Sequence, residues 1–201
     1  MISHNIEIHR MQRAFRQVMD AFAQPGTCRV IPLGQDVATV RPDEALDTLA
    51  RMLVDQVVTF CCLGTQQKET DIAMETRSKA AGVADADFVI VPDASVESTV
   101  EYGVGRASGG TLISPEKGAT VILGCGRVSA QPEEGLHAFS VEGPGVKERN
   151  WFYADSSVWA RVRQERTSEY PCGIEIILVD PSGNVVAVPR SSKLAWEEGE
   201  C

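Results

Sequence analysis

Val57-Val58-Thr59-Phe60-Cys61-Cys62-Leu63 is a nearly unbroken apolar run, closed by Gly64. A strand with one wet face alternates apolar and polar residues. A strand that does not alternate is covered on both faces, as the inner strands of a parallel sheet are. Residues 119–123 read the same way, and residues 88–91, ended by Pro92, are a shorter version. In such a strand the adjacent Cys61 and Cys62 point to opposite faces.

Segments of helical period lie between these strands. Ile8, Met11, Phe15, Val18, Met19 and Phe22 recur at helical spacing with Arg10, Arg13, Arg16 and Asp20 between them, which predicts an amphipathic helix with one face to the core. Pro25-Gly26 must end it, because proline removes a donor and clashes with the preceding turn. Residues 28–33 then read as a strand. Asp43 is placed to cap a second helix carrying Leu46, Leu49 and Leu53. Further helices are expected over 70–81, closed by Gly82, over 95–102, and over 156–166 with Val158, Trp159 and Val162 as its apolar positions.

A glycine-rich connector over 103–110 leads to a short extended piece at 111–113 and a turn at Pro115-Glu116-Lys117-Gly118. Residues 136–141 alternate as a half-buried strand does. Residues 173–179 and 185–188, joined by Pro181-Ser182-Gly183-Asn184, form a closing hairpin. Strands alternating with helices, several covered on both faces, predict a layered α/β fold around a mostly parallel sheet. We expect one domain over 1–195 and an acidic exposed tail over 196–201, carrying Glu197, Glu198 and Glu200.

Composition narrows the function. The chain has 201 residues, 43% of them hydrophobic, enough for a sizeable core in a single domain. Its net charge of −9 disfavours nucleic acid or an anionic membrane as the main partner, since both require a basic footprint. No apolar run is long enough to span a bilayer, and residues 1–9 lack the basic start and apolar run of an export signal, so the cytoplasm is expected. The six cysteines, Cys28, Cys61, Cys62, Cys125, Cys172 and Cys201, are spread out and contain no Cys-x-x-Cys pair. They read as reduced, buried apolar groups rather than disulfides or metal ligands.

The familiar catalytic patterns are missing. Gly103-Val104-Gly105 opens like a dinucleotide motif, but Ser108 stands where the third glycine is needed, and there is no P-loop. No Gly-x-Ser-x-Gly elbow is present. His4 and His9 read as solvated, and His137 as a strand position. Glu133-Glu134 and Glu197-Glu198 are adjacent acids, not an acid–base pair in two environments.

Four loops combine glycine or proline with charge or hydroxyls. They are Pro25-Gly26 after the helix bearing Arg16, Gly109-Gly110-Thr111 with Ser114-Pro115-Glu116, Gly143-Pro144-Gly145, and Pro189-Arg190-Ser191-Ser192. Glycine lets backbone N–H groups approach an anion, and arginine completes the cradle. Arg16, Gly26, Gly110, Thr111, Gly143, Gly145 and Arg190 are therefore candidate anion contacts, and no catalytic residue is assigned. Ordinary turns share the same composition.

These loops sit in longer stretches with a family resemblance. Phe15-Arg16-x-x-Met19-Asp20-Ala21-Phe22-Ala23-x-Pro25-Gly26 resembles the opening motif of the PhnH family of phosphonate metabolism. Gly110-Thr111 with Ser114-Pro115-Glu116-x-Gly118-Ala119-Thr120, and Glu142-Gly143-Pro144-Gly145-Val146, resemble its middle motifs. Tyr170-Pro171-x-Gly173-Ile174-Glu175-Ile176-Ile177-Leu178-Val179, followed by Val188-Pro189-Arg190-Ser191-Ser192, resembles its closing signature. Glu175 replaces an expected aspartate, Phe22 a methionine and Val188 an isoleucine.

The resemblance implies a three-layer α/β sandwich with a mixed, mostly parallel sheet, similar to pyridoxal-phosphate-dependent transferases but without the cofactor. It also implies a homodimer, and a subunit of the carbon–phosphorus lyase core complex beside PhnG, PhnI and PhnJ. The associated step joins a phosphonate to ATP with loss of adenine, giving a ribose 1-phosphonate 5-triphosphate. A phosphonate or nucleotide ligand is then possible, with no independent activity expected. Two rivals are a stand-alone phosphonate or nucleotide transferase and a retained pyridoxal-phosphate enzyme using Lys147, which follows the Gly143-Pro144-Gly145 loop.

Overall fold

The computed structural model describes residues 2–34, 43–166 and 169–197, with side chains from residue 6 onward. It is a mixed α/β fold built on a seven-stranded sheet. The strands are β1 (Arg29–Val30), β2 (Thr59–Cys62), β3 (Lys79–Ala80), β4 (Phe88–Val91), β5 (Thr120–Gly124), β9 (Glu175–Val179) and β10 (Asn184–Val188), in the order β1-β10-β9-β5-β4-β2-β3. The run from β9 to β3 is parallel, whereas β10 and β1 join antiparallel at one end. The second sheet is antiparallel, with β6 (Val128–Ser129), β7 (His137–Glu142), β8 (Asn150–Ala154) and β11 (Lys193–Glu197) in the order β11-β7-β8-β6.

Two apolar cores lie on opposite faces of the large sheet, as the non-alternating runs predict. Phe60, Cys62, Ile90, Ile122 and Ile177 face a core shared with α1 (Ile2–Ala23), α2 (Glu44–Leu53) and α3 (Gln66–Thr76). Cys61, Val89, Val91, Val121, Leu123, Ile176 and Leu178 face the other, shared with α4 (Glu97–Arg106), α5 (Val158–Glu165) and the second sheet. Cys61 and Cys62 do point to opposite faces. Phe139 and Phe152 of the second sheet stack at 5.0 Å, and Phe139 meets Trp159 of α5 at 5.1 Å. This aromatic contact fixes α5 against the second sheet.

The first helix turns differently from its pattern. Its buried positions are Ala14, Val18 and Ala21, while Phe15 is 45% and Met19 52% exposed. Small residues let the helix approach β10 closely, so the larger apolar residues are left outside. Asp43 stands at the start of α2 but does not cap it. Its carboxylate instead pairs with Lys68, which also meets Asp47.

Other boundaries shift for local reasons. The helix expected over 70–81 ends at Thr76 with Arg77 left-handed, and Lys79–Ala80 pairs with β2 as an edge strand. The presumed connector over 103–110 is helical through Arg106. A Cβ on Gly103 would lie 2.9 Å from Leu63 and 3.0 Å from Val91, so glycine there serves close helix–sheet packing. Residues 111–113 form no strand, and Leu112 and Ile113 are exposed. The strand expected over 28–33 shrinks to two residues. Strand β11 extends to Glu197, while Glu198 and Glu200 lie outside the described residues.

Candidate functional site

Open α/β sheets bind ligands at the carboxyl ends of their parallel strands. Here that edge is acidic: a small recess beyond β4, β5 and β9 is lined by Asp43, Asp93 and Asp180. Asp180 is buried and fully occupied in the turn after β9. It accepts hydrogen bonds from the N–H groups of Ser182 and Asn184, the Asn184 side chain and the Val128 N–H. Such an edge repels anions.

The opposite edge, at the amino ends of β5 and β9, is basic. A recess of about 100 Å³ is lined by Arg163, Arg166, Gly173, Ile174, Arg190 and Ser192. Arg166 also lines a wider cleft of about 710 Å³ with Gly109, Gly110, Thr111 and Cys172, whose walls include Glu165 and Glu169. The recess thus opens beside a larger, more mixed space.

Each arginine is held by backbone carbonyls. Arg163 Nη2 donates to the carbonyls of Pro189 at 2.9 Å and Ser192 at 3.2 Å. Arg166 Nη1 and Nη2 donate to Val104, Gly105 and Ala107, the free carbonyls at the end of α4. Arg190 Nε pairs with Glu175 at 2.9 Å, and its Nη1 donates to the Pro115 carbonyl. Burial lowers the pKa of Arg163, partly opposed by the charge of Glu175, and burial also lowers that of Arg166. Both remain cations, because arginine starts so high.

The candidate residues fall into three places. Gly26, Gly143 and Gly145 come together where α1 ends: Asn150 Nδ2 donates to the Pro25 carbonyl at 2.8 Å, and Gly143 packs on Ser191. Glycine is required at Gly145, where φ is +82° and a Cβ would lie 2.4 Å from the Ala23 carbonyl oxygen. The Gly26 N–H donates to Ala187 O at 3.2 Å, so it is spent within the backbone. Gly110 and Thr111 lie in the wider cleft, but the Gly110 N–H is taken by Ser108 Oγ and the Thr111 hydroxyl by the Ser114 N–H. Arg190 is the one candidate in the recess itself. Arg16 lies apart from these, exposed on α1 in a shallow cleft with Met11, Phe15, Arg51 and Met52. Lys147 is exposed, and His9 is exposed on α1.

Arg163 and Arg166 are absent from the sequence-derived candidates. Their signal is the spacing Trp159, Val162, Arg163, Arg166, which sets two arginines in register with the apolar stripe of α5 rather than on its wet face. The five described cysteines are free thiols, and no group of three or more His, Cys, Asp or Glu side chains could hold a metal among the described residues.

Comparison with known proteins bears on the whole chain. The "Putative C-P lyase subunit protein HtxG" of Stutzerimonas stutzeri is 31% identical over 191 residues, covering 92% of this chain and 86% of that protein. The model of the bacterial phosphonate metabolism protein (PhnH) family matches residues 3–195. With every motif from Phe15 to Ser192 inside that span, the chain belongs to the bacterial phosphonate metabolism protein (PhnH) family.

Proposed function

We propose that this chain is a subunit of a carbon–phosphorus lyase complex in phosphonate breakdown, serving assembly rather than catalysis on its own. Family membership and the name of its relative in Stutzerimonas stutzeri support the pathway. The observation that carries the subunit reading is the second apolar stripe of α1. Ile8, Phe15 and Met19 follow one another at i+7 and i+4 on one helix side and stand exposed, beside Met11 and Met52. An apolar stripe of this size, rimmed by Arg16 and Arg51, suits burial against another polypeptide.

The step served is the coupling of methylphosphonate to ATP, giving alpha-D-ribose 1-methylphosphonate 5-triphosphate. The partners are subunits of the PhnG, PhnI and PhnJ types, with a second copy of this chain, in the cytoplasm. Among the described residues no enclosed acid–base pair, and in the sequence no nucleotide motif, argues for a stand-alone transferase. The test is co-purification of this chain with the neighbouring subunits, then a product assay with and without it. The reading expects a stable assembly and product only when the chain is present. Product formation by the isolated chain, or undiminished product in its absence, overturns it.

A further inference from the structure

We propose that the recess formed by Arg163, Arg166, Arg190 and Ser192 binds a single phosphoryl-type group, a tetrahedral dianion carried on a small molecule. The inference goes beyond membership of a complex and rests on the recess alone.

Charge comes first. Three guanidinium groups line the recess and Glu175 is the carboxylate paired with them, through Arg190. The balance is positive in a chain whose net charge is −9. Like charges do not gather in a partly buried space without cost; a bound dianion supplies the counter-charge.

Donors come next. Arginine carries five N–H groups in a fixed fork. The carbonyl bonds of Arg163 use Nη2 alone, so its Nε and Nη1 have no hydrogen-bond partner among the described residues. Arg166 likewise keeps Nε without a partner among them. The carbonyl bonds orient each fork, so the remaining donors are held in place before any ligand arrives. An arginine fork matches the oxygens of a phosphoryl group in pairs.

Ser192 gives the independent sign. It is only 6% exposed, and its Oγ is buried with no hydrogen-bond partner among the described residues. Buried hydroxyls are almost always satisfied, so an orphan on a residue that lines an arginine recess points to a missing acceptor. Arg163 bonds the carbonyl of the same residue, which ties hydroxyl and guanidinium into one unit.

Size and surroundings set the ligand class. At about 100 Å³ the recess is small beside ordinary ligand pockets of about 300–1,000 Å³, which suits one compact tetrahedral oxyanion better than a chain of phosphates. Glu165 and Glu169 on the wider cleft would repel further anionic groups. The rest of the molecule therefore extends into that cleft as a neutral, hydroxyl-rich or apolar portion beside Thr111 and Val162.

The test is calorimetric titration of the full chain at constant ionic strength, with inorganic phosphate, methylphosphonate and ribose 5-phosphate in separate arms. Saturable binding at about 1 mM or tighter is expected for at least one arm. The tightest arm identifies the source of the group. R163Q should weaken it about tenfold or more, and S192A about fivefold, as loss of charged and neutral hydrogen bonds predicts. S192A removes only an unpartnered hydroxyl, so its fold is preserved and its result stands even if R163Q is unstable. Absence of saturable binding in every arm overturns the proposal. So does binding that S192A leaves unchanged, or that R16Q on α1 abolishes instead. Co-purification reads complex membership separately, so either reading can fail while the other stands.

Discussion

Arg190 grips Glu175 twice, with its Nε at 2.9 Å from one carboxylate oxygen and its own backbone N–H donating to the other at 2.8 Å. The same guanidinium reaches the Pro115 carbonyl. One side chain thus joins the end of β10, the start of β9 and the loop before β5. Glu175 sits where the family resemblance leads one to expect aspartate, and its longer reach suits this double contact.

Breaking the pair from one side should be costly. E175Q leaves the Arg190 charge half-buried without its counter-ion, and we expect a loss of about 1–3 kcal/mol in urea unfolding. The E175Q/R190Q double variant should recover part of that loss, because no unpaired charge remains. Equal and additive losses would mean that the pair is not coupled.

Backbone conformation and close contact can be separated with three glycines. At Gly135 φ is +81° and a Cβ would enter open space, so G135A should lose only about 1 kcal/mol, from the left-handed backbone. At Gly145 φ is +82° as well, but the Cβ would strike the Ala23 carbonyl, and G145A should lose at least about 1–3 kcal/mol more. G26A, facing Val141 at 2.9 Å, belongs with G145A. Thermal melts of the three variants give the ranking.

Much of the large sheet was legible because burial on both faces leaves a run with no alternation, as in 59–62 and 119–123, although Val57, read into the first of these runs, lies before the strand and is 83% exposed. The second sheet was half missed for the opposite reason. In β11, Lys193, Ala195 and Glu197 are exposed while Leu194 and Trp196 are partly covered, an alternation hidden by the acidic residues that follow. In β8, Trp151 is exposed and Phe152 buried, so the alternation lies between two aromatic residues and hydropathy does not show it. The orientation of α1 was ambiguous because two of its sides are apolar: only contact with β10 decides that Ala14 and Val18, not Phe15 and Met19, go inside. The arginine recess needs three distant segments to meet, which no local pattern displays; only the helical register of Arg163 and Arg166 hints at it.

That exposed side of α1 makes a separate prediction. Replacing Phe15 and Met19 by serine removes side chains that are already about half exposed, so the stability of the isolated chain should change by less than about 1 kcal/mol per site. The same double variant should lose co-purification with the other subunits or its own self-association, read by size-exclusion chromatography with light scattering. Loss of folding, or full retention of every association, would remove the stripe from the interface.

The buried thiols give an alkaline signature. Burial raises the pKa of Cys62, only 7% exposed, from 9.0 to about 11, and raises that of the enclosed Cys125 well above the same value. A raised folded pKa means that the unfolded chain releases these protons first as pH climbs. Their contribution to stability is therefore complete below about pH 9 and declines as pH rises through about 11. Urea midpoints should fall across that window, and a C62A/C125A variant should fall less steeply. In the same thiol form both residues resist iodoacetamide at neutral pH, since the thiolate is the nucleophile. Mass spectrometry of the native chain should find Cys62 and Cys125 unmodified until urea opens the fold; ready alkylation in the native state would mean that one of the two cores admits solvent.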